Sequence, residues 1–240
     1  MSSSSWTKLR ECPNKLVNEP IRTGTDTFVV LSYKNGIWQY KVKENEWTQI
    51  MKYVSEFQSL TAISYNTNKT IIHVLDNRSN LFQISLQTKQ IKKLTNIPFE
   101  TVGWSPSLFY INNKLHIIAH TPEICIHHLI ADLGKKDLQT IHTFQYKTIT
   151  HAAIYLPARQ RIVVFTYERI MEYCVLTNQW TIHVPSFKFP LITGLIADKH
   201  QQFIIIPIEW HTGPRIIVYN ITTRNMSFSS YKPATKRKYV

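Results

Sequence analysis

Four stretches of this 240-residue chain repeat one pattern: Ile37-Trp38-Gln39-Tyr40-Lys41-Val42 then Trp47, Leu81-Phe82-Gln83-Ile84-Ser85-Leu86 then Ile91, Ile170-Met171-Glu172-Tyr173-Cys174-Val175 then Trp180, and Ile216-Ile217-Val218-Tyr219-Asn220-Ile221 then Met226. In every copy the second anchor follows the first by seven residues, as Tyr40 to Trp47, Ile84 to Ile91, Tyr173 to Trp180 and Tyr219 to Met226. Self-similarity at a period of about 40 to 50 residues means stacked supersecondary units, none of which buries its apolar face alone.

Compact β-branched or aromatic runs precede the anchor blocks: Phe28 to Ser32, Thr70 to Leu75, Leu115 to Ala119, Arg161 to Thr166 and Phe203 to Ile206. They read as strands. Further strands end in turns upstream of most of them, at Leu60 to Tyr65, Ser107 to Ile111 and Ala152 to Leu156, which makes four strands per repeat in meander order. With Trp6, Trp47, Ile91, Ile141, Trp180 and Met226 as fourth-strand anchors, the gaps are 41, 44, 50, 39 and 46 residues. The long gap falls in the third repeat, where Ala131 to Gln139 reads as an inserted turn. No segment shows a 3.6-residue period, so helix is expected to be minor.

Radial closure of such units leaves only short, protected edges, so the expected fold is an all-β propeller of four-stranded antiparallel blades. Five blades plus an extra N-terminal strand, Trp6-Thr7-Lys8-Leu9, is the expected count, with six blades or a piece of a larger propeller as the alternatives. Tyr40, Tyr173 and Tyr219 then occupy one buried environment reused from blade to blade, and Trp47 and Trp180 are expected as inter-blade core residues. Residues 1–232 are read as one propeller domain and 233–240 as a basic tail.

Composition agrees: 43% hydrophobic and 12% aromatic residues suit a globular chain. With only 6 glycines, turns must lean on Asn, Asp and Lys, as at Asn35-Gly36 and Asn112-Asn113. Cys12, Cys125 and Cys174 lie far apart, without the spacing of a disulfide framework or zinc site. The Met-Ser-Ser-Ser-Ser-Trp6 start lacks a basic-then-apolar leader, and no apolar run approaches the roughly 18 residues needed to span a bilayer. A cytoplasmic protein that does not engage membranes is expected, with the nucleus as the alternative compartment.

An aromatic in the third strand, a polar turn such as Thr177-Asn178-Gln179 and Trp180 in the fourth resemble the kelch repeat. His151-Ala152-Ala153 leading through Arg161 to Phe165 is similar to that family's first two strands. The family's paired glycines after the second strand are replaced by Ser32-Tyr33, Asp76-Asn77 and Thr166-Tyr167. No Trp-Asp dipeptide supports the WD-type propeller instead. The kelch resemblance implies a propeller that serves as a protein-interaction scaffold. Some kelch-like propellers are copper oxidases with a Cys, Tyr and His site, but Tyr173 and Cys174 are strand neighbours and face opposite ways.

The His116, His120, His127 and His128 cluster is the best metal candidate among 10 histidines. No Cys or carboxylate completes a ligand set, so no metal and no cofactor is expected. Nucleophile elbows, phosphate-cradling glycine loops and matched carboxylate pairs are missing from the sequence, and the chain reads as non-enzymatic. The loops between second and third strands share one rim and display charges of both signs: Lys34, then Asp76 and Arg78, Glu123, Glu168 and Arg169, and Glu209, His211 and Arg215 around Trp210. Scaffolded loops carry recognition. Lys34, Arg78, Arg169, Trp210, His211 and Arg215 are therefore the expected partner-binding residues of a protein–protein interaction module. The net charge of +13 concentrates elsewhere, in Lys41, Lys43, Lys89, Lys92, Lys93, Lys135, Lys136, Arg224 and the Lys232 and Lys236-Arg237-Lys238 tail. Lysines on an edge strand block edge-to-edge pairing. The alternative function is binding of nucleic acid or another acidic partner through these strand turns.

Overall fold

The computed structural model describes residues 10–13, 21–32, 36–52, 60–66, 68, 70–76, 78–98, 106–120, 125–135, 137–145, 151–189, 191–192, 194–210 and 213–228. The chain divides into two compact units, Met1–Gln145 and Tyr146–Val240. Unit 1 carries three four-stranded antiparallel meanders. The first is β1 (Ile21–Arg22), β2 (Thr27–Ser32), β3 (Gly36–Lys41) and β4 (Glu46–Met51); the second is β5 (Leu60–Tyr65), β6 (Ile71–Asp76), β7 (Asn80–Ser85) and β8 (Ile91–Asn96). The third is β9 (Ser107–Ile111), β10 (Lys114–His120), β11 (Cys125–Asp132) and β12 (Asp137–Gln145). Unit 2 carries two more. One is β13 (His151–Leu156), β14 (Arg161–Thr166), β15 (Ile170–Cys174) and β16 (Gln179–His183). In the other, β17 (Leu191–Ile192) and β18 (Ile196–Ala197) both pair with β19 (Phe203–Trp210), which is followed by β20 (Gly213–Asn220) and β21 (Met226–Phe228). The expected all-β class holds throughout and the four-stranded meander in four blades, the fifth sheet having five strands because β17 and β18 share the place of a first strand; the helix among the described residues is a single 3-10 turn, Pro157–Arg159.

The seven-residue spacing has a direct cause. Tyr40 lies opposite Trp47, Ile84 opposite Ile91, Tyr173 opposite Trp180 and Tyr219 opposite Met226, each pair facing across the hairpin from third to fourth strand. A constant loop fixes the separation of the partners. Two residues before each outer anchor the backbone turns left-handed, at Asn45 (φ 51°), Lys89 (φ 57°), Asn178 (φ 55°) and Arg224 (φ 59°). In two blades the same Asn accepts the hydroxyl of the inner anchor: Tyr40 Oη donates to Asn45 Oδ1 at 2.6 Å and Tyr173 Oη to Asn178 Oδ1 at 2.8 Å. The buried phenol is thereby satisfied by the turn it helps to shape.

The third repeat obeys the same rule, which corrects the expected inserted turn at Ala131 to Gln139. Ala131 is buried, lies opposite Leu138, and precedes it by the same seven residues. With Leu138 in place of Ile141 as the outer anchor, the uneven gaps of 50 and 39 become 47 and 42. What obscured the match is strand length: β11 and β12 run for 8 and 9 residues, and a register shift at His128/Leu129 moves the downstream apolar residues out of phase.

Inner anchors are buried throughout: Tyr40, Ile84, Ala131, Tyr173 and Tyr219 are all at most 4% exposed. Outer anchors are not. Trp47 and Trp180 are half-buried, their rings tilted against Tyr40 and Tyr173 at 4.7 and 5.2 Å between ring centroids, so the expectation of two core tryptophans is corrected. They sit on the outermost strand of each sheet, which has a neighbour on one side only. Within unit 1, Leu75, Leu81 and Ile97 of the second blade pack on Leu108, Leu115, Ile117 and Leu129 of the third. Within unit 2, Leu156, Val163 and Phe165 pack on Ile204, Ile206, Ile217 and Tyr219.

The fifth blade shows why its first strand was missed. Pro207 has no N–H to give a ladder, and the strand beside β19 is broken at that point: β18 pairs with Ile204 and Ile205, β17 with Ile208 and Glu209. β19 itself runs on through Pro207, opposite Ile216. The extra strand expected at Trp6 to Leu9 lies outside the described residues.

Candidate functional site

The turns between second and third strands display charged groups on braced backbone. In the second blade the buried Asp76 carboxylate accepts hydrogen bonds from the backbone N–H of Arg78 (2.9 Å) and Asn80 (2.8 Å) and from Asn80 Nδ2 (2.8 Å). Ser79 takes a left-handed φ of 62° there, and the Arg78 side chain is exposed. In the fourth blade Thr166 Oγ1 accepts from Arg169 N at 3.0 Å while Thr166 N donates to Arg169 O at 2.8 Å. Phe189 N donates to Tyr167 O at 2.8 Å, and Lys188 reaches Glu168 at 2.9 Å with its ammonium 5.4 Å from the Tyr167 ring centre. Arg169 is half-buried in this turn.

In the fifth blade the residues expected in the loop around Trp210 are largely strand: Glu209 lies opposite Pro214 and Trp210 opposite Gly213, so Trp210 ends β19 at the tip of a hairpin. Arg215 lies opposite Ile208 and is exposed. Trp210 and Arg215 thus share one hairpin, Arg169 belongs to the neighbouring blade of unit 2, and Arg78 to unit 1. Lys34, Glu123 and His211 lie outside the described residues.

The lysines fall on third-to-fourth turns and outer strands. Two are answered by acids: Lys41 meets Glu44 at 2.9 Å, which raises its pKa, and Lys43 meets Asp26 at 3.7 Å. Lys89 in the β7–β8 turn and Lys92 and Lys93 on β8 are exposed and have no ion pair among the described residues. Lys136 and the tail cations lie outside the described residues.

Histidines line blade interiors. His116 and His120 share a face of β10 and are buried, His116 Nδ1 lies 3.0 Å from His128 Nε2, and half-buried His127 points away to Thr143 Oγ1 at 3.0 Å. His73 sits on β6 where other second strands carry Val29 and Val163, and stacks on Tyr110 with 5.4 Å between centroids. Burial pushes His73, His116 and His120 down to about 4 and His128 to about 3, so all four are neutral at neutral pH. Among the described residues no group of three His, Cys, Asp or Glu is placed to hold a metal ion. Tyr173 faces Trp180 while Cys174 faces Arg161 and Gln179, so these neighbours lie on opposite sides of the sheet. Cys174 is a free thiol whose pKa is held down by hydrogen bonding to Thr177.

One constellation escaped the sequence reading. Glu172, in the middle of β15 with its side chain 1% exposed, gathers groups from both blades of unit 2. Arg161 Nη1 bonds to Oε2; around Oε1 lie Tyr219 Oη, donating at 3.3 Å, His183 Nε2 at 3.5 Å and Arg224 Nε at 3.9 Å. Desolvation and then the Arg224 charge hold His183 below its usual range, and burial beside the Glu172 charge pushes the Tyr219 phenol up. A signal was present: the residue before the inner anchor is Gln39, Gln83 and Glu172 in three repeats, and only the last carries a charge that a buried position must answer.

No protein-family model matches the chain, and no curated protein matches it. Among solved structures it is similar to TolB from Acinetobacter baumannii, with a TM-score of 0.64 and 11% identity over 87% of this chain and 53% of that one. It is also similar to an oligogalacturonate lyase in complex with manganese, with a TM-score of 0.59 and 10% identity over 84% of this chain and 61% of that one. The chain therefore spans 53% and 61% of the lengths of these two proteins. At this identity the likeness shows the fold, a β-propeller, to which the five blades belong. No helix among the described residues is long and apolar enough to cross a membrane.

Proposed function

We propose that this propeller is a non-catalytic scaffold of kelch-like type that binds a protein partner through the turns between second and third strands. The observation that carries the reading is the bracing of those turns: Asp76 and Thr166 hold the backbone around Arg78 and Arg169 by their own side chains, so the turns meet a partner already ordered. Pre-organised loops lose little entropy on binding. Within unit 2, the β19–β20 hairpin adds Trp210 and Arg215 to Arg169, the residue types that dominate binding hot spots. His211 and Lys34 complete the proposed set. Fold likeness to a lyase does not transfer its activity, since function resides in sites grafted on folds.

The test is capture of partners from the source cell by the parent protein and by Trp210→Ala with Arg215→Ala. Loss of at least one specific partner is expected; an identical set of captured proteins would remove this surface from the function. The second reading, an acidic partner such as nucleic acid, is favoured by exposed Lys89, Lys92 and Lys93 on one blade edge. Phosphate contacts release counterions, so that binding must weaken steeply with salt, and affinity unchanged from low to high salt would dismiss it.

A further inference from the structure

On the opposite rim of unit 2, at the turns joining first to second and third to fourth strands, three arginines reach across the seam between its two blades or into the charge buried there. Arg159 leaves the 3-10 turn and is tethered by Nε to the Gln201 carbonyl at 2.6 Å and by Nη2 to Thr222 Oγ1 at 3.0 Å. Arg161 opens β14, and Arg224 sits two residues beyond Thr222. The last two converge on Glu172, yet their side chains stay 39% and 48% exposed while the carboxylate is buried. One carboxylate cannot neutralise two guanidiniums. Nε and Nη2 of Arg161 carry no hydrogen bond among the described residues, and Arg224 stands 3.9 Å from the carboxylate, beyond hydrogen-bond reach. The other acid of this rim, Asp198, is turned inward, accepting from the backbone N–H groups of His200, Gln202 and Phe203 at 3.1, 2.6 and 2.7 Å.

The geometry points to a binding site for a compact oxyanion, a phosphate or phosphate monoester, held between Arg161 and Arg224 with Arg159 at its margin. Glu172 hydrogen-bonds Arg161 from beneath, attracts Arg224 only across 3.9 Å, and leaves a net positive charge facing solvent. One planar fork held in place beside a second whose donors are unspent suits the paired oxygens of a phosphoryl group. Within unit 2 the site lies at the other end of the strands from the turns of Arg169, Trp210 and Arg215, and it stands independently of that reading.

The experiment is calorimetric titration of the full-length protein with inorganic phosphate at low ionic strength, on the parent, Arg224→Asn and Glu172→Gln. Asn suits the left-handed backbone at position 224, as Asn45 and Asn178 do at equivalent positions, and Gln is isosteric with Glu, so both variants keep the backbone. Saturable binding is expected, weakened about fivefold by Arg224→Asn and tightened about fivefold by Glu172→Gln, the scale of one partly screened charge. Tightening on Glu172→Gln is the decisive sign, because a purely structural ion cluster would lose stability and gain no affinity. Phosphoserine bound more tightly than phosphate would support a ligand-borne monoester, and equal affinity a free anion. Absence of saturable binding, or affinities equal in all three proteins, overturns the inference. Trp210→Ala with Arg215→Ala should leave phosphate binding unchanged, which separates failure here from failure at the other rim.

Discussion

Gly36 is the position where one added methyl group should damage the fold most. It opens β3 at φ 82°, a conformation that side-chain-bearing residues rarely adopt, and a Cβ built there would overlap the Met51 carbonyl oxygen and stand 2.7 Å from the Lys52 carbonyl carbon. Both obstacles are backbone, so no rotamer change relieves them. The left-handed conformation costs a non-glycine residue about 1 to 2 kcal/mol. Clearing the overlap then requires moving β4 where the ladder already shifts register between Ile37 and Trp38, beside Ile37 at 1% and Met51 at 8% exposure. Overpacking of that kind adds about 1 to 3 kcal/mol, so Gly36→Ala should cost on the order of 3 kcal/mol. Gly24→Ala is the control: its nearest contacts are the Thr27 side-chain atoms at 3.3 Å, and the change should stay within about 1 kcal/mol of the parent. Equilibrium urea unfolding followed by tryptophan fluorescence reads both. If Gly36→Ala unfolds within about 1 kcal/mol of the parent, close backbone approach is not what places glycine there.

The inner anchors should outweigh the outer ones: Tyr173→Ala, at a fully buried site, should cost about 3 to 5 kcal/mol, and Trp180→Ala, half-buried on β16, clearly less despite losing the larger ring. Equal losses by urea unfolding would contradict the layering of the blades. Acid should destabilise the chain through its buried histidines. With folded values lowered to about 4 for His73 against 6.5 unfolded, stability is fully present above pH 6.5 and is lost as pH falls from 6.5 to about 4, because the unfolded chain binds protons that the folded chain excludes. His73 alone accounts for on the order of 3 kcal/mol across that window, and His73→Val, matching Val29 and Val163, should flatten the pH profile of unfolding; an unchanged profile would refute it.

The blade count and most strand limits were legible because they are enforced locally. A seven-residue return between facing anchors needs only a fixed hairpin, and β5, β9 and β14 begin and end where the apolar runs do. Where a strand departs from the standard length the reading failed. The third repeat was misaligned by its longer strands and register shift, and β19 was cut short at Pro207 because a proline inside a strand is tolerated only when its other neighbour is interrupted, as happens between β17 and β18. Burial of the tyrosines followed from their periodicity, but that of Trp47 and Trp180 did not, since sequence period gives a side chain's face and not the number of strands beyond it. The Glu172 site was invisible for a related reason: its partners Arg161, His183, Tyr219 and Arg224 come from four separate segments, and only the pairing of strands and blades draws them together.

The left-handed turn residue ties these observations into one. In the first and fourth blades that position is Asn, which tolerates positive φ and also accepts the tyrosine hydroxyl of its own blade. In the fifth blade the tyrosine hydroxyl turns instead to Glu172 of the adjacent sheet, so the turn no longer needs an acceptor. The position is then occupied by Arg224, whose long side chain is a poorer fit to φ 59° than Asn but extends to the same carboxylate. One exchange entails the other: a carboxylate at position 172 relieves the turn of its hydrogen-bonding duty and at the same time calls for a cation there. A residue held in a disfavoured conformation persists where its surroundings over-determine it. Here the surroundings are a buried charge shared between two blades, and the surplus of positive charge at its mouth is the direct result.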